Sequence, residues 1–197
     1  MVESLSTGEY FFMKRQRILK LVISGLLIAI GLIIPMFSPI KVVLEPASFT
    51  LASHVAIFIA MFISPFMAVA VALGTTVGFF MGGFPIIIVF RAATHIVFAL
   101  VGSFYLHKIA KDKLSVFKLR VFSFCVAIAH ALGELIVVSE FYFGGNISEA
   151  YLEQGFLSSV LMLVGLGTVI HSMVDFEISR LILLPLKKQN TLAGIIK

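Results

Sequence analysis

Seven side chains stand out in this chain because their types could do chemistry in surroundings that are otherwise apolar: His54, Arg91, His95, His130, Glu134, His171 and Asp175. Six of them form three pairs at i, i+4 spacing, namely Arg91 with His95, His130 with Glu134, and His171 with Asp175. On a helix that spacing puts both members on one face. Arginine offers a planar fork of donors to a carboxylate, glutamate and aspartate accept, and imidazole does either. A charge at the centre of a membrane costs about 2.5–3.5 kcal/mol on insertion scales, so it is kept for pairing or for function. Two readings of Arg91 and Glu134 follow and can be combined. They form a buried ion pair that ties two helices together, or they line a cavity for a polar ligand. His54 reads as a hydrogen-bonding group between helices. His171 and Asp175 read as structural, or as contacts to a partner.

The same residues argue against several reactions. HxxxE over 130–134 and HxxxD over 171–175 are present. The HExxH of zinc proteases, which sets two imidazoles on one face with a base between them, is missing. Membrane prenyl-endopeptidases pair their histidine element with EExxxR, and this chain has no two adjacent glutamates. A nucleophile elbow, a phosphate-binding P-loop and GxGxxG are absent as well. No Cys/His metal spacing is seen, so neither a metal nor a cofactor is expected. The single cysteine, Cys125, lies in an apolar run and reads as packing.

The elements that must position these groups are transmembrane helices. Of 197 residues, 60% are hydrophobic and 13% charged, against about 25% charged in soluble domains. Six candidate spans cover 18–35, 49–64, 66–82, 84–106, 119–139 and 156–174. Ser64-Pro65 reads as a tight turn between the second and third. After 174 the charges Asp175, Glu177 and Arg180 read as the end of the last span, followed by an amphipathic tail to Lys188. The predicted fold class is an all-α membrane protein of six transmembrane helices with both termini inside. Thirteen of the fifteen basic residues support that orientation by falling on inner segments: Lys14, Arg15, Arg17 and Lys20; Lys108, Lys111, Lys113, Lys118 and Arg120; Arg180, Lys187, Lys188 and Lys197. Lys41 stands outside and Arg91 within the membrane. The segment Glu140 to Glu153 has three acids and no base. The net charge of +5 is thus a topological signal, and no nucleic-acid partner is expected.

At 1.5 Å per residue, Arg91 lies about 10 Å below the Gly82-Gly83 turn and Glu134 about 9 Å below Glu140. His95 and His130 lie one turn deeper, and His54 near the level of Arg91. His171 and Asp175 fall in the inner half, so the two histidine–carboxylate pairs are expected at different depths. Residues 1–12 precede the basic cluster and are expected to be disordered or an extension of the reading frame. Residues 13–190 form one domain, and 191–197 a cytoplasmic tail.

Small residues mark possible docking surfaces: Ser24-Gly25-x-x-x-Ala29-x-Gly31 in the first span, and Ala68, Ala70, Ala72, Gly74 and Gly78 in the third. With the basic N-terminus, six spans and the apolar loop PMFSPIKVVLEPASFTLASH, this pattern resembles the substrate-binding S-components of energy-coupling factor (ECF) vitamin transporters over residues 13–190. The resemblance implies a bacterial cytoplasmic-membrane protein, not an enzyme, that binds a small water-soluble vitamin. It implies that Gly25 and Ala29 meet a transmembrane coupling subunit, which joins two cytoplasmic ATP-binding subunits. It also implies an outward-opening pocket among spans four to six, under the loop between spans one and two.

The stretch EPASFTLASHVAIFIAMFISP, 45–65, resembles members assigned to niacin. Nicotinate would suit Arg91, with His54, His95, His130 and Glu134 in the site and Phe84, Phe90, Phe98, Tyr142 and Phe143 as aromatic walls. Pantothenate would satisfy Arg91 as well. Pyridoxine or a hydroxymethylpyrimidine would use Glu134 and the histidines more. A polytopic metalloenzyme using His130, Glu134, His171 and Asp175 is the alternative from another class. The loop from Met36 to Ser48 cannot be helical throughout, because of its prolines. Its apolar residues, among them Met36, Phe37, Ile40 and Val42, are expected to pack as a lid on the ligand.

Overall fold

The computed structural model describes residues 7–44, 47–109, 114–189 and 195–196. Helix α1 spans Thr7–Phe37, and a hairpin of β1, Lys41–Leu44, and β2, Ala47–Thr50, follows it. Helices α2, Val55–Met61, α3, Pro65–Met81, and α4, Ile86–Phe104, come next; α4 runs on as a π-helical turn over Tyr105–Ile109. Helix α5 is Val116–Phe143 and α6 the short Glu149–Glu153. A π-helical stretch, Leu157–Leu166, leads without a break into α7, Gly167–Leu186. The bundle packs α3 on α1 and α4, α4 on α5, and α5 on α7, with α2 touching α1, α3, α4 and α7 from the middle.

Among the described residues, four helices are long and apolar enough to cross a membrane: Met13–Phe37, Ile86–Lys108, Val116–Phe143 and Leu157–Leu186. The apolar helix Pro65–Met81 is shorter. Their outer faces carry Phe66, Met81, Phe117 and Phe143, each at least 74% exposed. An apolar exterior over a core that holds arginine, glutamate and histidine is what lipid demands.

The second expected span is not a continuous helix. It enters as β2, turns at 51–54, and becomes helical only over the seven residues of α2, all of them buried. Seven residues rise about 10 Å, too little to cross alone. Non-helical backbone at this depth is stable because protein surrounds it and satisfies it. β2 pairs antiparallel with β1, Lys41 facing Thr50 and Leu44 facing Ala47. At the other end, the Met61 carbonyl accepts from Ser103 Oγ at 2.9 Å and His107 Nε2 at 3.1 Å. Phe58 anchors α2 between Phe98 and Phe176, at ring separations of 5.5 and 5.4 Å. Ser64 caps α3 by accepting from the Met67 N–H, with Pro65 at the first helical position.

One other expectation is corrected. The last helix does not end near 174, because its charges are neutralised in place. Asp175 is fully buried and hydrogen-bonded, and Arg180 Nε donates to Glu177 Oε2 at 2.7 Å. Residues 7–12 form the start of α1, and residues 1–6 lie outside those described. Near the C-terminus, Ile195 is buried against the core.

The two small-residue faces differ. A Cβ on Gly74 would lie 2.7 Å from Ile28 Cδ1, and one on Gly78 would collide with Leu32, so α3 spends its glycines on close approach by α1. Gly25 and Ala29 are exposed on the other side of α1, and a Cβ on Gly25 would meet nothing.

Candidate functional site

The i, i+4 pairs do share helix faces, and those faces converge. Helix α4 brings Arg91 and His95, α5 brings His130 and Glu134, and α7 brings Thr168, His171 and Asp175. The turn after β2 brings Ser53 and His54. All of these except Asp175 line one cavity, together with Thr75 and Phe79 of α3, Pro35 of α1, and Ser48, Phe49 and Thr50 of the hairpin.

Glu134 is the first centre. It is 3% exposed. Arg91 Nη2 donates to its Oε2 at 2.9 Å, and Thr168 Oγ1 donates to the same oxygen. Its other oxygen, Oε1, lies 3.4 Å from His130 Nε2 and 3.5 Å from His95 Nε2. Arg91 therefore both pairs with Glu134 and lines the cavity.

Asp175 is the second centre. It accepts from the backbone N–H of Ala52 at 2.7 Å and of His54 at 2.9 Å. His54 Nδ1 lies 3.1 Å from Asp175 Oδ2, and His171 Nε2 lies 3.4 Å from that oxygen. Ser53 Oγ connects His54 Nδ1 and His171 Nε2 at 3.2 and 3.1 Å. Ala52 takes a positive φ of 69°, which a residue with a Cβ adopts at a cost. The carboxylate, buried across from the turn, holds it there.

The two centres lie about 10 Å apart along α7, since Thr168 meets Glu134 and Asp175 is two helical turns further on. His54 bridges them, with ring centroids 5.1 Å from His171, 4.7 Å from His95 and 4.6 Å from His130. The depth estimate for His54 counted residues along a regular helix. The 47–54 segment descends as strand and turn, which rise faster per residue than a helix does, so it reaches the level of α7 near Asp175.

Phe84 lines the cavity, with its ring edge-on to Phe79 at 4.7 Å and Lys41 Nζ 5.7 Å from its centroid. Phe98 lies beneath the site, against the His130 ring at 4.5 Å. Tyr142 is not among the lining residues: it packs on Phe143 and Phe156, and its hydroxyl donates to the Leu152 carbonyl. Phe90 and Phe143 face outward, 50% and 74% exposed. Of the apolar residues expected to cover the ligand, Met36 and Phe37 at the end of α1, Ile40 before β1 and Val42 in β1 are all exposed. Sequence reasoning passed over the residues that do face the cavity from that loop, Phe49, Thr50 and Ser53, and also Thr168. The apolar/polar alternation of ASFT in 47–50 was a strand signal for them. Thr168 left none.

A cavity lined by an arginine, a glutamate, four imidazoles and three phenylalanine rings, in a bundle with a lipid-facing exterior, defines a multi-pass membrane protein with a buried polar cavity. The chain is 40% identical over 167 residues, 84% of its length and 73% of the relative's, to the niacin transporter NiaX of Lactococcus lactis subsp. cremoris. It belongs to the family of that transporter and is a multi-pass protein of the plasma membrane. No family model and no solved structure matches the chain.

Proposed function

We propose that this chain is the niacin-binding S-component of an ECF-type importer. The observation that carries the reading is the 40% identity, spread over 84% of the chain, to a niacin transporter. The cavity suits that ligand: nicotinate is a flat ring with one carboxylate, the cavity offers Phe49, Phe79 and Phe84 for the ring, and its polar floor carries donors for the carboxylate. Pantothenate and pyridoxine are not favoured by that relationship.

In this reading α1, the broken segment 47–61, α3, α4, α5 and the 157–186 helix are the six crossings, with both termini inside. The exposed Gly25 and Ala29 face is where a transmembrane coupling subunit docks, bringing two ATP-binding subunits with it. The hairpin is the lid, with its β2 half facing ligand and its β1 half facing the headgroup layer.

The test is equilibrium dialysis of labelled nicotinate against the full chain purified in detergent. Saturable one-to-one binding that nicotinamide competes poorly, because it lacks the carboxylate, is the expected result. Saturable binding of pantothenate or pyridoxine with none of nicotinate would overturn it. Gly25→Leu should leave nicotinate binding unchanged and abolish co-purification of the ATPase module. A spin label at Ser38 should lose mobility when nicotinate is added.

A further inference from the structure

Three imidazoles meet at the floor of the cavity, and they come from three separate elements. His54 sits on the turn after β2, His95 on α4 and His130 on α5. All three are more than nine-tenths buried. Their ring centroids are 4.6–4.7 Å apart in every pairing. One nitrogen from each can be chosen so that all three lie within 4.8 Å of one another. Nothing in the sequence spacing announces this cluster, because its members are 41 and 35 residues apart along the chain.

The cluster lacks hydrogen bonds where a purely structural network would have them. His95 Nε2 and both ring nitrogens of His130 are buried without a hydrogen-bond partner. Burying an unsatisfied polar atom is costly, and the large majority of such atoms in folded proteins are paired. The closest acceptor to two of them, Glu134 Oε1, stands off at 3.4 and 3.5 Å, beyond the usual 2.7–3.2 Å range of an N–H···O bond.

The surroundings are also those of a metal centre. The Nδ1 of His54 is held by Asp175 Oδ2 at 3.1 Å, which fixes the ring and leaves Nε2 for a cation. A carboxylate on the far nitrogen of a ligating histidine is the usual second partner in such sites. Glu134 lies beside the other two imidazoles and supplies negative charge to offset the cation.

We infer that His54, His95 and His130 bind one divalent transition metal of the zinc type, with the fourth position open to the cavity for the carboxylate of the substrate. Imidazole donors select zinc and its late first-row neighbours over magnesium or calcium. Three histidines with one open position form a site that takes an exogenous ligand, not a closed structural one. The arrangement answers a difficulty left by Arg91. Its guanidinium already pairs with Glu134, so the cation supplies the positive charge that a buried carboxylate needs. The substrate half of this inference rests on the nicotinate reading; the metal half does not.

The test uses the full chain in detergent, stripped with a chelator and reloaded with Zn2+ or Co2+. One Zn2+ per chain by elemental analysis is expected, and Co2+ should give the visible absorption of a four-coordinate centre. Asp175→Asn should weaken Zn2+ binding at least tenfold, and His95→Ala with His130→Ala should abolish it. Nicotinate binding should fall at least tenfold in the stripped protein and return with Zn2+. If folded wild type binds no Zn2+ and shows no Co2+ spectrum, the metal centre is overturned without recourse to any variant. If Zn2+ binds but nicotinate affinity is the same in stripped and loaded protein, the open position is overturned. If Zn2+ binds and nicotinate binds neither form, the metal centre stands and the niacin reading fails.

Discussion

Two buried carboxylates organise this molecule, and they are used differently. Glu134 takes all its partners from side chains on helices: Arg91, Thr168, His95 and His130. Asp175 takes two of its partners from the backbone of a turn, at Ala52 and His54, and the rest from His54 and His171 side chains. The first assembles a charged surface facing the cavity. The second pins an irregular segment against α7 and so decides where His54 points. One carboxylate is part of the floor, and the other positions it. The difference teaches that a broken crossing needs an internal acceptor for its loose N–H groups, while a regular helix does not.

Substitution should separate the two roles. The largest effect is expected for Glu134→Ala, which removes the carboxylate that neutralises the buried Arg91 cation; loss of one partner of such a pair costs about 3–5 kcal/mol. Arg91→Met combined with Glu134→Leu should recover most of the thermal stability and none of the nicotinate binding. Recovery of both in a melting and dialysis series would reduce the pair to a structural clamp.

Asp175→Ala comes next. It leaves the Ala52 and His54 N–H groups and the His54 ring without their acceptor; at the low end of about 1–3 kcal/mol per group, since Ala52 is only part-buried, that is about 3 kcal/mol. Hydrogen exchange should show the damage confined to 47–61 and spare α4 and α5. Exchange rising equally throughout the bundle would erase the distinction between a pinned loop and a charged floor.

Thr168→Val removes a hydroxyl donor to a charged acceptor, worth about 1.5–3 kcal/mol. Its cost should shrink in the Arg91→Met, Glu134→Leu background, since the acceptor is gone, and a cost unchanged there would place Thr168 outside the Glu134 network. The smallest effect belongs to Ser53→Ala, about 1 kcal/mol. It loosens the link between His54 and His171, so it should weaken ligand binding more than it lowers the melting temperature. The reverse order would make Ser53 a packing residue of the turn.

Much of this was legible in the chain itself. The hydropathy of the four long helices and the 82–85 and 64–65 breaks gave the bundle its elements, since each depends only on local composition and turn chemistry. The i, i+4 pairs were legible for the same reason: a helical period converts spacing into a shared face without reference to anything distant. Arg91 and Glu134 announced themselves by being charged where charge is costly, and the two were expected to meet.

The tertiary structure decided the rest. The second expected span is half strand because β1, Asp175, Ser103 and His107 satisfy its backbone and ends, and those partners come from up to 123 residues away. Which face of a helix looks inward was not readable where apolar residues cover the whole circumference. Lipid and core ask for the same side chains, so Phe90 and Phe143 read as walls and turned out to face outward. The two small-residue faces looked alike in sequence, and only packing showed that α3 spends its own on α1 while Gly25 and Ala29 stay open. His54 is the clearest case. Its type is fixed by the sequence, but its place between Asp175, His95 and His130 exists only because an extended segment and three helices reach the same point, and no local pattern records where separate segments meet.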